Sequence, residues 1–208
     1  LTSWPEAGPP VLWTARGLGK GFTSPIIANG SIYLTGDVDG DCRLFALSLA
    51  GTQRWHSTNG KAWTTNHQGA RSSCTYADGR LYHMNAHGRV ACFDPATGKE
   101  LWAVETLERF DGKENEWGLA ESVLVDGGRV FVTPGGKKGF MAALDAKTGE
   151  TAWASEPMPD PDDERTGYSS PIMVQFGARR LLVNLSEKSV VCVDAASGKQ
   201  LWRYLHPT

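Results

Sequence analysis

Four short segments of similar composition hold most of the side chains that could carry chemistry. They read GFTSP (21–25), GARSS (69–73), GLAES (118–122) and GYSSP (167–171). Arg71 and Glu121 are the charged residues within them, and they fall in neighbouring copies. An arginine fork, a carboxylate and several hydroxyl groups that meet in one place could clamp a carboxylate-bearing or sugar-like ligand. The full candidate set is Thr23, Asn66, His67, Arg71, Ser72, Trp117, Glu121, Tyr168 and Ser169.

The opposite interpretation of these segments is structural. Arg71 and Glu121 would then pair with each other and fill the space with bound water, without a ligand. The sequence contains no GxSxG motif and no recognisable set of Ser, His and Asp, and its four cysteines lack a CxxC spacing. We therefore predict neither catalytic residues nor a metal site. The acidic stretch PDPDDE (159–164) is expected to be a solvated loop rather than a cation site.

Charge and hydrophobicity argue against a nucleic-acid partner and against a membrane-spanning segment. The chain has 208 residues, with 21 Lys and Arg against 23 Asp and Glu, so its formal net charge is −2. Such a balance lacks the basic surface of a nucleic-acid-binding protein. No apolar run reaches the roughly 18 residues that a membrane-spanning helix needs. We expect neither a nucleic-acid partner nor a membrane span.

The elements that must position the candidate residues repeat along the chain. Tryptophans recur at intervals of about 50 residues, which indicates a repeat architecture, and three of them close the phrases DPATGKELW, DAKTGETAW and DAASGKQLW. Each interval also holds two β-rich runs around a turn, as in IIANGSIYLTG (26–36) and TYADGRLYHMN (75–85), where Asn-Gly and Asp-Gly predict hairpins. A third run precedes each phrase. Each unit is therefore predicted to be a four-stranded antiparallel sheet.

The repeated phrase has a structural explanation. Its aspartate can accept hydrogen bonds from the turn amides, and its glycine can take the positive φ that a tight turn requires. The closing tryptophan falls on the fourth strand, where a large ring would fill the wedge between neighbouring sheets of a radial array, a β-propeller. The residues predicted to dock the sheets are Trp55, Trp102, Trp153 and Trp202, with the turn glycines Gly98, Gly149 and Gly198.

The phrase Ala-x-Asp-x-x-Thr-Gly-x-x-x-Trp resembles the tryptophan-docking motif of the pyrroloquinoline quinone (PQQ) repeat propellers. It is complete in ALDAKTGETAW (143–153), whereas CFDPATGKELW (92–102) and CVDAASGKQLW (192–202) begin with cysteine. The resemblance covers essentially the whole chain. It implies an all-β propeller of four-stranded antiparallel blades whose full ring has about eight blades, of which four are present here.

We expect residues 1–208 to form one array of PQQ-like repeats, with blades at about 21–58, 69–105, 118–156 and 167–206. PPVLWTA (9–15) reads as an outer strand without inner strands before it, which favours half of a larger ring over a compact ring of four blades. A half ring exposes sheet faces and edges. We therefore expect a protein partner, or a second copy that closes the ring as a homodimer.

The family includes quinoprotein alcohol and sugar dehydrogenases and non-enzymatic scaffolds of the BamB type. The resemblance implies a periplasmic or otherwise extracytoplasmic protein, although no signal peptide opens this chain. In the dehydrogenases, PQQ lies over a calcium ion held by a Glu, an Asn and a catalytic Asp, beneath a disulfide between adjacent cysteines. Glu121 matches that glutamate by position, but the chain has no Cys-Cys pair.

The functional expectation follows from this comparison. We expect a non-catalytic scaffold or recognition module without a cofactor, which binds a partner or small ligand at the channel mouth through loops 56–70, 103–120 and 154–168. The alternative is a dehydrogenase that depends on PQQ and calcium and of which this chain carries part of the site.

Overall fold

The computed structural model of the chain describes residues 3–206, so the first two and last two positions of the predicted domain lie outside the described residues. The strands form four antiparallel sheets, and each sheet is a meander of four consecutive strands. The first sheet contains β1 (Ile26–Ala28), β2 (Ser31–Val38), β3 (Asp41–Ser48) and β4 (Gln53–Lys61), and the second contains β5 (Thr75–Ala77), β6 (Arg80–Met84), β7 (Arg89–Phe93) and β8 (Glu100–Glu105). The third contains β9 (Leu124–Asp126), β10 (Arg129–Val132), β11 (Ala142–Asp145) and β12 (Thr151–Ala154), and the fourth contains β13 (Ile172–Phe176), β14 (Arg179–Leu185), β15 (Ser189–Asp194) and β16 (Gln200–Leu205). A short helix, α1 (Thr106–Phe110), follows β8.

The turn before each of the last three outer strands forms as its residue types predict. Oδ1 of Asp94 accepts hydrogen bonds from the amides of Ala96 and Thr97 and from the Thr97 hydroxyl, all at 2.9 Å. Asp145 and Asp194 hold the later two turns in the same way. These bonds stabilise the carboxylate form and lower the pKa of Asp94 from its ordinary value. The aspartate and the hydroxyl residue of the repeated phrase therefore stabilise the turn between the third and fourth strands of the sheet.

Three of the regularly spaced tryptophans contact the next sheet along the chain. The indole N–H groups of Trp55, Trp102 and Trp153 donate to carbonyl oxygens in the turn of the next sheet, at 3.0, 3.1 and 3.2 Å respectively. The carbonyls belong to Pro95, Ala146 and Ala195, and the rings lie against Gly98, Gly149 and Gly198. A small residue stands opposite each tryptophan in the sheet, namely Ala46, Cys92 and Ala143. Small partners leave room for the ring, which explains why cysteine can replace alanine there.

The two ends of the array differ from the middle. Trp13 makes the same contact with the first sheet, since its indole N–H donates to the Leu49 carbonyl at 3.0 Å and its ring lies against Gly51. Residues 9–15, predicted as an outer strand, pair with no strand in the part of the chain that the structure describes. Trp202, the fourth predicted docking residue, is 46% exposed and docks on no turn within residues 3–206.

Three hydrophobic clusters join successive sheets, the first to the second, the second to the third and the third to the fourth. Across residues 3–206, no such cluster joins the fourth sheet to the first. Leu185, Trp202 and Tyr204 are exposed on the fourth sheet, although they match Met84, Trp102 and Val104, which the third sheet covers. The described sheets therefore form an arc with free faces rather than a ring of four blades closed by a fourth seam.

The turn glycines give a direct test of the docking geometry. Gly149 has a φ of 74°, and a Cβ there would meet the Trp102 ring at 2.8 Å. Gly149→Ala is expected to lower the free energy of unfolding by about 2–4 kcal/mol, because left-handed strain and overpacking add together. Gly177→Ala is the matched control, since Gly177 has a φ of 58° but no atom lies within 4 Å of the methyl group that alanine would add. That control should cost only about 1 kcal/mol in urea unfolding, and equal losses in the two variants would contradict the docking geometry.

Candidate functional site

A belt of serine hydrogen bonds aligns the four inner segments that precede β1, β5, β9 and β13. The amide of Ser24 donates to Oγ of Ser73 at 3.0 Å, and the amide of Ser73 donates to Oγ of Ser122 at 3.0 Å. The Ser122 amide donates to Oγ of Ser170 at 2.9 Å. Each bond crosses from one sheet to the next, so the segments are held side by side and their preceding residues share one end of the array.

The residues before this belt enclose a pocket of about 260 Å³. Phe22, Arg71 and Tyr168 occupy related places in the first, second and fourth segments, and Trp117 and His67 complete the lining. The rings of Trp117 and Tyr168 lie 5.4 Å apart at 33°, and their side chains are 43% and 42% exposed. Partly exposed aromatic rings around a cavity can stack on the flat face of a ligand or partner.

Arg71 is fixed in the wall of this pocket. Its Nη2 donates to the carbonyls of Asn66 and His67, at 2.9 and 2.6 Å, and its guanidinium lies 5.8 Å from the Phe22 ring centroid and 5.5 Å from that of Trp63. Burial lowers the pKa of the guanidinium from its ordinary value, but arginine remains a cation at neutral pH. Arg71 forms no ion pair within residues 3–206. Its charge therefore stays available to an anionic group.

Glu121 lies outside the pocket, buried between the third and fourth sheets. It is 1% exposed; Oε1 accepts the amide N–H of Thr133 at 3.1 Å, and Oε2 lies 3.3 Å from the amide nitrogen of Asn184. Loss of solvation raises the pKa of Glu121 to about 8, because the hydrogen bonds from Thr133 and Asn184 offset only part of that cost. The predicted Arg71–Glu121 pairing is therefore absent from the described residues, and Glu121 is protonated at neutral pH.

The structure separates the nine candidates into two groups. Four of them line the pocket, and these are His67, Arg71, Trp117 and Tyr168. Asn66 supplies a backbone carbonyl to Arg71, and Thr23, Ser72, Glu121 and Ser169 lie deeper, with Ser72 fully buried and Thr23 bonded to the Thr35 carbonyl. Phe22 was not among the predicted site residues, although its place after the segment glycine is the place of Tyr168. Asn184 was not predicted either, because it lies 63 residues from Glu121 and no motif marks it.

The acidic loop 159–164 is tied to the array by ion pairs. Asp162 contacts the amino groups of Lys113 and Lys137, at 2.6 and 3.0 Å, and Glu164 pairs with Arg203. The lysine contacts lower the pKa of Asp162 to about 2. A carboxylate whose neighbours are ammonium groups is a poor cation ligand, so this loop is a paired surface loop.

The residues present do not complete the calcium site that the family resemblance implies. Glu121 and Asn184 are adjacent, as that site would require, but both Glu121 oxygens face N–H donors. Calcium takes six to eight oxygen ligands, and no group of three acidic, histidine or cysteine side chains suited to a metal occurs in residues 3–206.

The four cysteines are buried and unpaired. No helix in the described part of the chain is long and apolar enough to cross a bilayer.

Comparison with known proteins shows which family this chain resembles. A family model described as "Outer membrane protein assembly factor BamB" matches residues 51–207. The dehydrogenase subunit of a quinone-dependent alcohol dehydrogenase from Gluconobacter oxydans is 29% identical over 164 residues, which are 71% of this chain and 20% of that protein. The outer membrane protein assembly factor BamB of Nitrosomonas eutropha is 28% identical over 129 residues, 62% of this chain and 26% of that protein.

A solved structure agrees on the fold. A europium-containing methanol dehydrogenase superimposes with a TM-score of 0.68 at 16% identity, covering 89% of this chain and 41% of that one. The chain therefore spans less than half the length of each of these three proteins. Because the family model covers most of the sequence and three of the four sheets carry the docking turn of the resemblance, the chain belongs to the PQQ-repeat β-propeller family.

Proposed function

We propose that this protein is a non-catalytic, extracytoplasmic recognition module or scaffold that binds a small ligand or a partner at the pocket around Arg71. The lining of that pocket carries the proposal. It combines one rigidly held cation with the half-exposed rings of Trp117 and Tyr168, and none of the lining residues within 3–206 is acidic. Exposed aromatic and arginine side chains on a rigid frame are typical of binding sites.

A carboxylate-bearing ligand is the class that this lining favours. Arg71 can donate to a carboxylate while the ring pair covers an apolar face, and sugar acids and aromatic acids have both features. In calorimetric titrations with glucuronate and benzoate, we expect Arg71→Ala to weaken binding of the acids at least about 10-fold, since a charged hydrogen bond contributes about 1.5–3 kcal/mol.

Arg179→Ala is the control for that titration, because Arg179 is an exposed arginine at the start of β14, beyond the end of β13 that lies away from the Tyr168 segment. It should leave binding of both acids unchanged. Binding that Arg71→Ala leaves intact, or an absence of binding by either acid to the unmodified protein, would count against the carboxylate class at this pocket.

A second copy is our proposal for the partner that covers the free sheet faces. Leu185, Trp202 and Tyr204 are exposed on the fourth sheet, and Ile27 is exposed on the first. Light scattering should then give twice the mass of the chain, and Trp202→Asp should halve it. Trp13 already occupies the docking position on the first sheet, so ring closure by Trp202 would have to displace it. A monomer that binds no dye for exposed apolar surface would exclude this arrangement.

The second candidate function is a PQQ- and calcium-dependent alcohol or sugar dehydrogenase. The similarity to quinone-dependent alcohol dehydrogenase subunits favours it, whereas the N–H groups that face both oxygens of Glu121 count against a calcium ion held by this chain alone. Titration with calcium and PQQ, followed by quinone absorbance and by dye reduction with alcohols and aldoses, tests this function. The extracytoplasmic location is supported by the outer-membrane assembly factors among the relatives and can be checked by cell fractionation.

A further inference from the structure

The contact between Glu121 and Asn184 is the feature in which this chain most nearly approaches the family's cation site. Its hydrogen-bond directions, however, are fixed by groups that can only donate. The backbone N–H of Leu185 donates to Oδ1 of Asn184 at 2.9 Å, so the amide oxygen faces away from Glu121. The amide nitrogen then points at Oε2 of Glu121 and at Oγ1 of Thr133, at 3.3 and 2.7 Å.

The carboxyl group of Glu121 is committed in the same way. Oε1 accepts the backbone N–H of Thr133, and a backbone amide cannot reverse its role. Both carboxyl oxygens therefore face N–H groups, while Oδ1 of Asn184, the oxygen that a cation would need, is occupied by Leu185 and by the Ser169 hydroxyl at 2.7 Å. A cation placed here would meet hydrogen atoms instead of lone pairs.

These hydrogen bonds among Glu121, Thr133, Asn184 and Ser169 also connect two sheets. Glu121 and Thr133 belong to the third blade, and Asn184 and Ser169 belong to the fourth. Glu121, Thr133 and Asn184 are each at most 1% exposed, so removal of one partner would leave buried donors unsatisfied. Ser169 precedes Ser170 of the serine belt and follows Tyr168 of the pocket wall.

We propose that Glu121, Thr133, Asn184 and Ser169 form a metal-free hydrogen-bonded clasp that joins the third blade to the fourth and holds the Tyr168 segment in place. The inference is independent of the ligand proposed for the pocket. It assigns to the residue that matches the family's metal ligand a mechanical role, which a calcium site would exclude.

Thermal unfolding of the full chain with and without calcium separates the two roles. Calcium at about 5 mM exceeds the dissociation constants of about 0.1–1 mM found for extracellular sites, so binding would raise the melting temperature. We expect no calcium-dependent rise, and no saturable tryptophan-sensitised emission from terbium. Glu121→Gln carries no charge and keeps one acceptor oxygen, but its amide nitrogen sets a donor against one of the two N–H groups, so it should lose less than Glu121→Ala, for which we expect a loss of at least about 4 °C.

Glu150→Gln is the matched control, because Glu150 is an exposed glutamate in the turn before β12. A calcium-dependent rise or a terbium signal that Glu121→Gln abolishes and Glu150→Gln retains would overturn the proposal. So would a Glu121→Ala variant as stable as the unmodified protein. If the alanine variant does not fold, the calcium and terbium responses of Glu121→Gln and Glu150→Gln are sufficient to distinguish a metal-free clasp from a calcium site.

Discussion

Replacing Trp153 with alanine is expected to lower the free energy of unfolding by about 3–5 kcal/mol, the range for truncation of a buried tryptophan. Trp153 is 9% exposed, lies against Gly198 and packs in the cluster that joins the third and fourth sheets. Its truncation removes apolar contacts on both sides of the seam and leaves the Ala195 carbonyl without its indole donor. Urea unfolding monitored by circular dichroism measures the loss.

Trp202→Ala is the matched control for that experiment. Trp202 closes the same nine-residue phrase and pairs with the same type of small residue, Cys192, but it is 46% exposed. At dilutions at which light scattering gives the mass of a single chain, we expect a loss of at most about 1.5 kcal/mol from this variant, since a half-exposed ring gives up less burial. At concentrations at which the proposed homodimer forms and covers Trp202, the loss at Trp202 should approach that at Trp153.

The buried carboxyl group of Glu121 predicts that stability falls as the pH rises. The folded protein keeps this proton up to about pH 8, whereas the unfolded chain releases it near the ordinary pKa of 4.5. The folded state therefore binds more protons between these values. The contribution is fully present below about pH 4.5 and declines by at most about 1.4 kcal/mol per pH unit until about pH 8.

Glu121→Gln isolates this contribution, because every other titrating group is common to both proteins. Urea unfolding at pH 5, 6, 7 and 8 measures the free energy of unfolding of both proteins. The unmodified protein should be the more stable of the two at low pH, its advantage should shrink as the pH rises, and the variant should then become the more stable one. Parallel stability curves would mean that the carboxyl group is solvated in the folded protein, contrary to its burial between Thr133 and Asn184.

Much of the fold could be predicted because the repeated phrase encodes local geometry. Asp94 and Thr97 specify a turn through bonds within four residues, and Gly98 provides both the positive φ and the surface for the next ring. The behaviour of residues 9–15 could not be predicted from such local rules. Trp13 finds its docking carbonyl, but strand pairing also depends on a neighbouring sheet edge, which local sequence does not specify.

The site was predictable only where equivalent positions in the repeats could be aligned. Arg71 and Tyr168 were found because they vary within a repeated segment, and they do line the pocket. Glu121 belongs to the same kind of segment, yet its side chain turns into the seam between sheets. Its partner Asn184 comes from the middle strands of the next repeat, so the contact depends on how two blades pack and not on spacing along the chain.

The directional contact of each docked tryptophan with the following turn determines the order in which the sheets unfold. Each sheet is coupled mainly to its immediate neighbours, so the energetics approach a one-dimensional chain of units in which stability is a sum of unit and interface terms. The fourth sheet has one such interface, whereas the second and third have two. In the single chain, amide exchange should therefore be fastest in the fourth sheet and slowest in the second and third, with the loss of order spreading inward from that exposed end.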